Sequence, residues 1–187
     1  MNSFVCSQNN NIGRISNLVE KLCAEYGEKI TAIDNETYYD FPKIGQLAKD
    51  GVEERLRQLG FGYRAPYIAN TARQLLELGG VSYLDDLKTN CSYEKAREEL
   101  RELPGVGPKV ADCVCLMSLN KHSVVPIDTH VLQITAKLYL KEKLQGRKSI
   151  SGKLYKEIGD FYREKFGNYA GWAHEVLFSS DLKLVSA

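Results

Sequence analysis

Two residues able to do covalent chemistry stand beside features that would fix them in place. Lys109 follows the run "LPGVGP" (Leu103 to Pro108), and Asp128 stands in "VVPIDTHV", nineteen positions later. A neutral primary amine is a nucleophile, and a nearby carboxylate can take up a proton or stabilise developing positive charge. Proline suits the first position of a helix, so Pro108 predicts a helix with Lys109 in its first turn. The positive end of a helix dipole is a poor place for an ammonium. The run that follows, "VADCVCLMSL", leaves almost no polar face and predicts a helix buried on most sides. A lysine that reaches back to water from the helix start fits the same residues. Asp128 reads as a helix N-cap. That role is compatible with chemistry, because a cap holds its carboxylate in a fixed position. One buried helix and a return loop fit the interval, so both side chains can face one cleft.

The elements around the pair come next. The helix "YEKAREELREL", with Ser92 as its N-cap, runs into "LPGVGP", so a tight turn joins it to the Lys109 helix. Glycines are needed where φ is positive or where another backbone comes close. Gly105, Val106 and Gly107 could therefore present N–H groups, with a helix dipole behind them, to a phosphate. An αα-hairpin whose glycines only permit close packing uses the same residues.

Almost everything else also reads as helix. Apolar residues at helical spacing predict helices over Ile12 to Tyr26, from Val52 to a stop at Gly60, and from Ala65 to a stop at Gly79. Further helices are predicted after Asp128, over Gly152–Phe166 and over Tyr169–Phe178. "NSFVC" at the start is the best strand candidate, and "KEKLQGRKSISGK" (Lys141 to Lys153) reads as a loop. The expected class is all-α, with two helical lobes (1–107 and 108–187) and a cleft between them. The chain has 187 residues, 43% hydrophobic and 26% charged, with a net charge of +1. These are ordinary values for a globular protein, and bulk charge gives nucleic acid no long-range pull. No apolar run approaches the ~20 residues of a bilayer span, and no signal peptide is apparent. The five cysteines, an odd number mostly inside helical patterns, predict free thiols in a reducing compartment.

"LPGVGPKVADCVCLM…VPIDTHV" resembles the helix-hairpin-helix, Gly-Pro-Asp class of DNA glycosylases, and more narrowly its eukaryotic 8-oxoguanine DNA glycosylase/lyase branch. "NNNIGRI", "LGFGYRAPYI" and "GNYAGWAHEVLFSSDL" extend the likeness over nearly the whole chain. The resemblance implies a bifunctional N-glycosylase and abasic-site lyase. Lys109 is then the nucleophile that displaces the base and forms a Schiff base, after which β-elimination nicks the strand. Asp128 stabilises the charge on the sugar. The nucleotide must be flipped out of the stack to be reached. Phe178 and Cys113 are expected to cover the two faces of the flipped base, and Met117 to form a pocket wall. Asn9 is expected to fill the hole, Arg14 and Arg64 to read the orphaned cytosine, Tyr63 to wedge the opposite strand, and His130 to contact a phosphate. Cys113, Met117 and Phe178 would serve equally as core residues, Asn9 as part of a polar cap, and Tyr63 and Arg64 as exposed loop residues.

The resemblance implies no required cofactor and no metal held by side chains, with hairpin carbonyls available to a structural cation. The iron–sulfur cluster of a sister glycosylase acting on oxidised pyrimidines needs four cysteines near the C-terminal end, and none follows Cys115. The expected partner is double-stranded DNA carrying 8-oxoguanine or abasic sites. A membrane is not expected, the chain is expected to be monomeric, and its place is the nucleus or the mitochondrion. Two departures bear on the base. His174 in "GWAHEVLF" stands where a glutamine reads the Watson–Crick edge, and an imidazole cannot offer the paired donor and acceptor of an amide. The chain also starts where a preceding antiparallel β domain, which supplies a discriminating carbonyl, is expected to have ended. The alternatives are abasic-site lyase activity alone, or non-catalytic DNA binding.

Overall fold

The computed structural model describes residues 1–144, 146–147 and 149–185, the last four of these without their side chains. Gln145 and Lys148, in the stretch expected as a loop, lie outside the described residues. The chain divides into two compact units: Met1–Leu87 with Glu98–Gly107, and Lys88–Arg97 with Pro108–Ala187.

The first unit is built from helices α1 (Asn2–Cys6), α2 (Ile12–Tyr26), α3 (Ile44–Leu47), α4 (Val52–Gln58) and α5 (Arg64–Glu77), with a hairpin of β1 (Lys29–Ile33) and β2 (Glu36–Tyr39). Helix α2 has the expected bounds. Asn11 caps it by accepting from the Arg14 N–H at 3.0 Å, and Leu18 and Leu22 point into a core with Leu56, Phe61 and Ile68. "NSFVC" is a helical turn and not a strand. The Phe4 and Val5 amides bond to the Met1 carbonyl, so the segment satisfies its backbone locally, and Val5 and Cys6 are buried. The small antiparallel sheet is an addition to the all-α expectation. Asp34 and Asn35 take φ of 50° and 68°, two consecutive left-handed residues of the kind that favour a two-residue hairpin turn. All of β1 is exposed, so the brief alternation of Lys29 to Ala32 reflects no buried face. Helices α6 (Val81–Thr89) and α7 (Tyr93–Arg101) follow, and each runs from one unit into the other. The Lys95 amide donates to Ser92 Oγ, as the N-cap reading of Ser92 requires.

The second unit holds α8 (Pro108–Met117), α9 (Thr129–Leu138), α10 (Lys141–Leu144), α11 (Gly152–Phe166) and α12 (Ala170–Val185). Helix α10 occupies part of the expected loop. Val125, Ile127, Val131, Leu132, Ile158 and Tyr162 form the core of this unit. Residues 110–116 of α8 are all buried, including Asp112. The five cysteines are free thiols. Among the described residues, no helix is long and apolar enough to cross a membrane.

Candidate active site

Lys109 is the second residue of α8, and Asp128 is the N-cap of α9. Asp128 Oδ1 accepts from the His130 and Val131 amides, both at 3.0 Å. Its other oxygen, Oδ2, lies 3.7 Å from Lys109 Nζ. The two oxygens thus have separate tasks: one is held by the helix start, and the other faces the amine. At 3.7 Å the pair attract each other but do not form a hydrogen bond of ordinary length. Both side chains are about a third exposed, 35% for Lys109 and 33% for Asp128. A substrate can reach them, and α8 and α9 still fix their roots.

Cys113 lies one turn along α8 from Lys109 and is buried. Burial pushes its thiol up to about 11, while Lys109 acts in the opposite direction, so it remains a neutral thiol near neutral pH. Met117, at the end of α8, is 41% exposed and lies apart from the apolar interior that residues 110–116 enter. On α12, His174 is buried, and neither of its ring nitrogens has a hydrogen-bond partner among the described residues. The nearest charge is Glu175 Oε1, 3.4 Å from Nδ1. The Phe178 ring lies 6.0 Å from His174 and 4.9 Å, edge-on, from His130. The unit therefore brings His130, His174 and Phe178 together. His130 Nε2 stands 3.4 Å from Asp181 Oδ2, whose other oxygen accepts from Lys137. Asp181 was not foreseen from the sequence.

In the first unit, Tyr63, Arg64 and Asn9 gather around one loop. The Tyr63 hydroxyl donates to the Gln8 carbonyl at 2.9 Å. Arg64 Nη2 donates to the Gln8 carbonyl and, at 3.2 Å, to that of Asn9. The Arg64 guanidinium also sits 4.5 Å from the centre of the Tyr63 ring. Arg64 is buried, not an exposed loop residue, because those carbonyls draw it inward. Asn9 is exposed with φ of 45°, and Arg14 is exposed in the first turn of α2.

The glycines of the turn are unlike one another. Gly105 has φ of 74°, and a Cβ there would lie 2.4 Å from Tyr67 Cγ; at Gly107 a Cβ would meet nothing within 4 Å. The Val106 amide donates to the Leu103 carbonyl within the turn. Thr71 Oγ1 donates to the Pro104 carbonyl at 2.7 Å, and Gln8 Nε2 donates to that of Gly105. A cation at these carbonyls would share them with protein donors. Among the described residues, no group of three or more His, Cys, Asp or Glu side chains could hold a metal.

The profile described as the HhH-GPD superfamily base excision DNA repair protein matches residues 2–159. The chain belongs to this superfamily. Within the HhH-GPD superfamily it is 41% identical over 202 residues to an N-glycosylase/DNA lyase of Saccharomyces cerevisiae, covering 96% of this chain and 54% of that protein. It is 41% identical over 181 residues to the N-glycosylase/DNA lyase OGG1 of Arabidopsis thaliana, covering 96% and 48%. The chain thus spans about half the length of these curated relatives. Among solved structures, the Clostridium acetobutylicum 8-oxoguanine glycosylase/lyase, in complex with double-stranded DNA containing cytosine opposite 8-oxoG, superposes with a TM-score of 0.79 at 31% identity. That match covers 97% of this chain and 58% of the other.

The sequence reading missed a buried polar cluster in the second unit. Asp112 Oδ1 accepts from Tyr93 OH at 3.0 Å and from Arg97 Nε at 2.8 Å, and Oδ2 accepts from Tyr155 OH. Burial pushes the Asp112 carboxyl up from its ordinary range, with Tyr155, Arg97 and Tyr93 acting against it. A signal was available: an aspartate in a helix with almost no polar face must be buried, and a buried carboxylate needs partners.

Proposed function

We propose that this HhH-GPD chain excises an oxidised purine, 8-oxoguanine opposite cytosine, from double-stranded DNA and then nicks the strand as a lyase. One observation carries the reading: a partly exposed lysine amine 3.7 Å from a carboxylate whose other oxygen is fixed by a helix start. In the proposed reaction Lys109 acts as a neutral amine, its proton having passed to solvent water, and the departing base takes up a proton from water. The amine then attacks C1′, and the bond from C1′ to the base breaks with its electron pair leaving on the base. Asp128 stabilises the positive charge on the sugar during that step. The sugar ring opens to a Schiff base with Lys109. Water takes a proton from C2′, a C2′–C3′ double bond forms as the C3′–O bond breaks with its electron pair leaving on the 3′ phosphate, and hydrolysis of the C=N bond returns the Lys109 amine.

The flipped base would rest among Cys113, Met117, His174 and Phe178. Nε2 of buried His174, without a hydrogen-bond partner among the described residues, supports this, because a buried polar group without a partner is costly unless something completes it. His130 would meet a phosphate. In the first unit, Asn9, Arg14, Tyr63 and Arg64 would serve the opposite strand, and Gly105, Val106 and Gly107 the backbone. Gly107 supports the last role, because among the described residues no atom within 4 Å of a Cβ there explains why a side chain is absent. Nuclear action fits this substrate.

The test is borohydride trapping on duplexes carrying 8-oxoguanine or a bare abasic site. Wild type should give a covalent adduct with both, and Lys109→Gln with neither. Equal trapping by the variant would overturn the reading. A narrower reading, lyase action on abasic sites alone, is favoured by the Lys109–Asp128 pair needing no base for its chemistry. It predicts an adduct only with the abasic duplex.

A further inference from the structure

We infer that Tyr155 is a positioning residue that ties the nucleophile helix to the segment carrying Asp128. The argument rests on the proposed Lys109–Asp128 chemistry and extends it to a residue outside the pair. Tyr155 lies in the first turn of α11, remote in sequence from both. Its hydroxyl donates to Asp112 Oδ2 and accepts from the Ile127 amide at 3.2 Å. Asp112 is three residues along α8 from Lys109, and Ile127 immediately precedes Asp128. A single hydroxyl therefore bridges α8 and the approach to α9, one contact three residues from Lys109 and the other one residue from Asp128.

The Asp112 end of the bridge is itself anchored. Arg97 and Tyr93 of α7 donate to Oδ1, so both carboxylate oxygens have partners and neither is free to turn. Asp112 is fully buried, and the bonds it accepts are stronger for being partly shielded from water. At the other end, the Ile127 amide precedes the α9 N-cap, so its direction influences where the Asp128 carboxylate points. The Lys109–Asp128 distance is longer than a hydrogen bond and so does not fix itself. The α9 start holds one Asp128 oxygen, and the Tyr155 bridge adds a tie between that segment and α8. Shifts of about 1 Å in a catalytic pair can cost on the order of 100-fold in rate.

The decisive variant is Tyr155→Phe, which removes only the hydroxyl. Adduct formation should be followed under single-turnover conditions with an abasic duplex, together with the Kd for a duplex carrying a reduced abasic analogue. The variant should slow adduct formation by about 10-fold and leave Kd within about 2-fold. In an Asp128→Asn background the same change should cost less than about 2-fold, because residues acting through one another are not additive. A full 10-fold loss in both backgrounds, or no loss in either, would overturn the inference. Native-state amide exchange supplies a readout without catalysis. Exchange at Ile127, His130 and Val131 should be faster in Tyr155→Phe, and unchanged exchange would overturn the bridge. If wild type forms no adduct at all, the proposed function fails, and the exchange rates still decide for or against the bridge.

Discussion

Lys109 and Arg64 are both basic residues in the first turn of a helix, and the protein treats them in opposite ways. Arg64 is 2% exposed and donates to the carbonyls of Gln8 and Asn9. Lys109 is a third exposed and faces a carboxylate beyond hydrogen-bond length. Guanidinium carries a rigid fork of donors and keeps its charge, so it suits the holding of backbone. The amine can lose a proton, so leaving it loosely held preserves its capacity to react. The first unit thus commits its basic group to shaping a loop, and the second keeps its own available.

Changing Lys109 tests that contrast most severely. Lys109→Gln should reduce single-turnover nicking of an abasic duplex by at least about 1000-fold, as expected when a nucleophile is lost. Kd for the same duplex should move by less than about 3-fold. A large rise in Kd with a preserved rate would reassign Lys109 to holding DNA.

Asp128→Asn comes second. Asparagine is as good an N-cap as aspartate, so α9 and the melting temperature should be retained. The charge opposite Lys109 is lost, and the rate should fall by about 100-fold. Asp128→Ala loses both functions and should in addition lower stability by about 1 kcal/mol. Thermal melts beside rate measurements separate the two. Equal rates for Asn and Asp would show that Oδ2 contributes no electrostatics.

The pair was legible in the sequence because its signals are local. Pro108 announces a helix, Asp128 announces a cap, and the bounds of α2 followed from apolar spacing and a glycine stop. What was missed is non-local or exposed. Nothing near Tyr155 indicates a partner 43 residues away, since a tyrosine in a helical pattern looks like core. The β1–β2 hairpin has no buried face to impose alternation, and only the Asp34–Asn35 pair hinted at its turn. "NSFVC" has the composition of a strand, but a lone strand leaves its backbone unpaired, and a helical turn does not. Neither reading of Arg64, as a reader of cytosine or as an exposed loop residue, included its burial, because its partners are main-chain carbonyls, which any sequence offers. The HhH-GPD likeness named candidate roles for residues, but the burial of Arg64 and the exposure of Met117 come only from packing.

The two glycines of the turn sharpen the contrast between groups held by protein and groups left open. Gly105→Ala must place a methyl inside the Tyr67 ring contact at a φ that suits glycine. It should destabilise the protein by about 3 kcal/mol, visible as a lower denaturation midpoint. Gly107→Ala meets no atom and should change stability by less than about 0.5 kcal/mol. If the open side of Gly107 receives DNA, its alanine variant should nonetheless weaken duplex binding several-fold. Unchanged binding would mean that the space there is merely solvent.

The loop that Arg64 holds offers a test read in stability and not in rate. Arg64→Met keeps the length of the side chain but removes the donors to Gln8 and Asn9. Hydrogen bonds from charged groups contribute about 2 kcal/mol each in net terms, and the melting temperature should fall accordingly. Tyr63→Phe removes one neutral bond, from a half-exposed ring to the Gln8 carbonyl, and should cost about 1 kcal/mol or less. Stability is the readout that distinguishes a scaffold from a reader of bases. Should Arg64→Met leave the melt unchanged yet abolish any preference for cytosine opposite the lesion, the guanidinium must leave its carbonyls to act on DNA. Arg64 would then resemble Lys109 in function, and the difference in their burial would describe only the protein without its substrate.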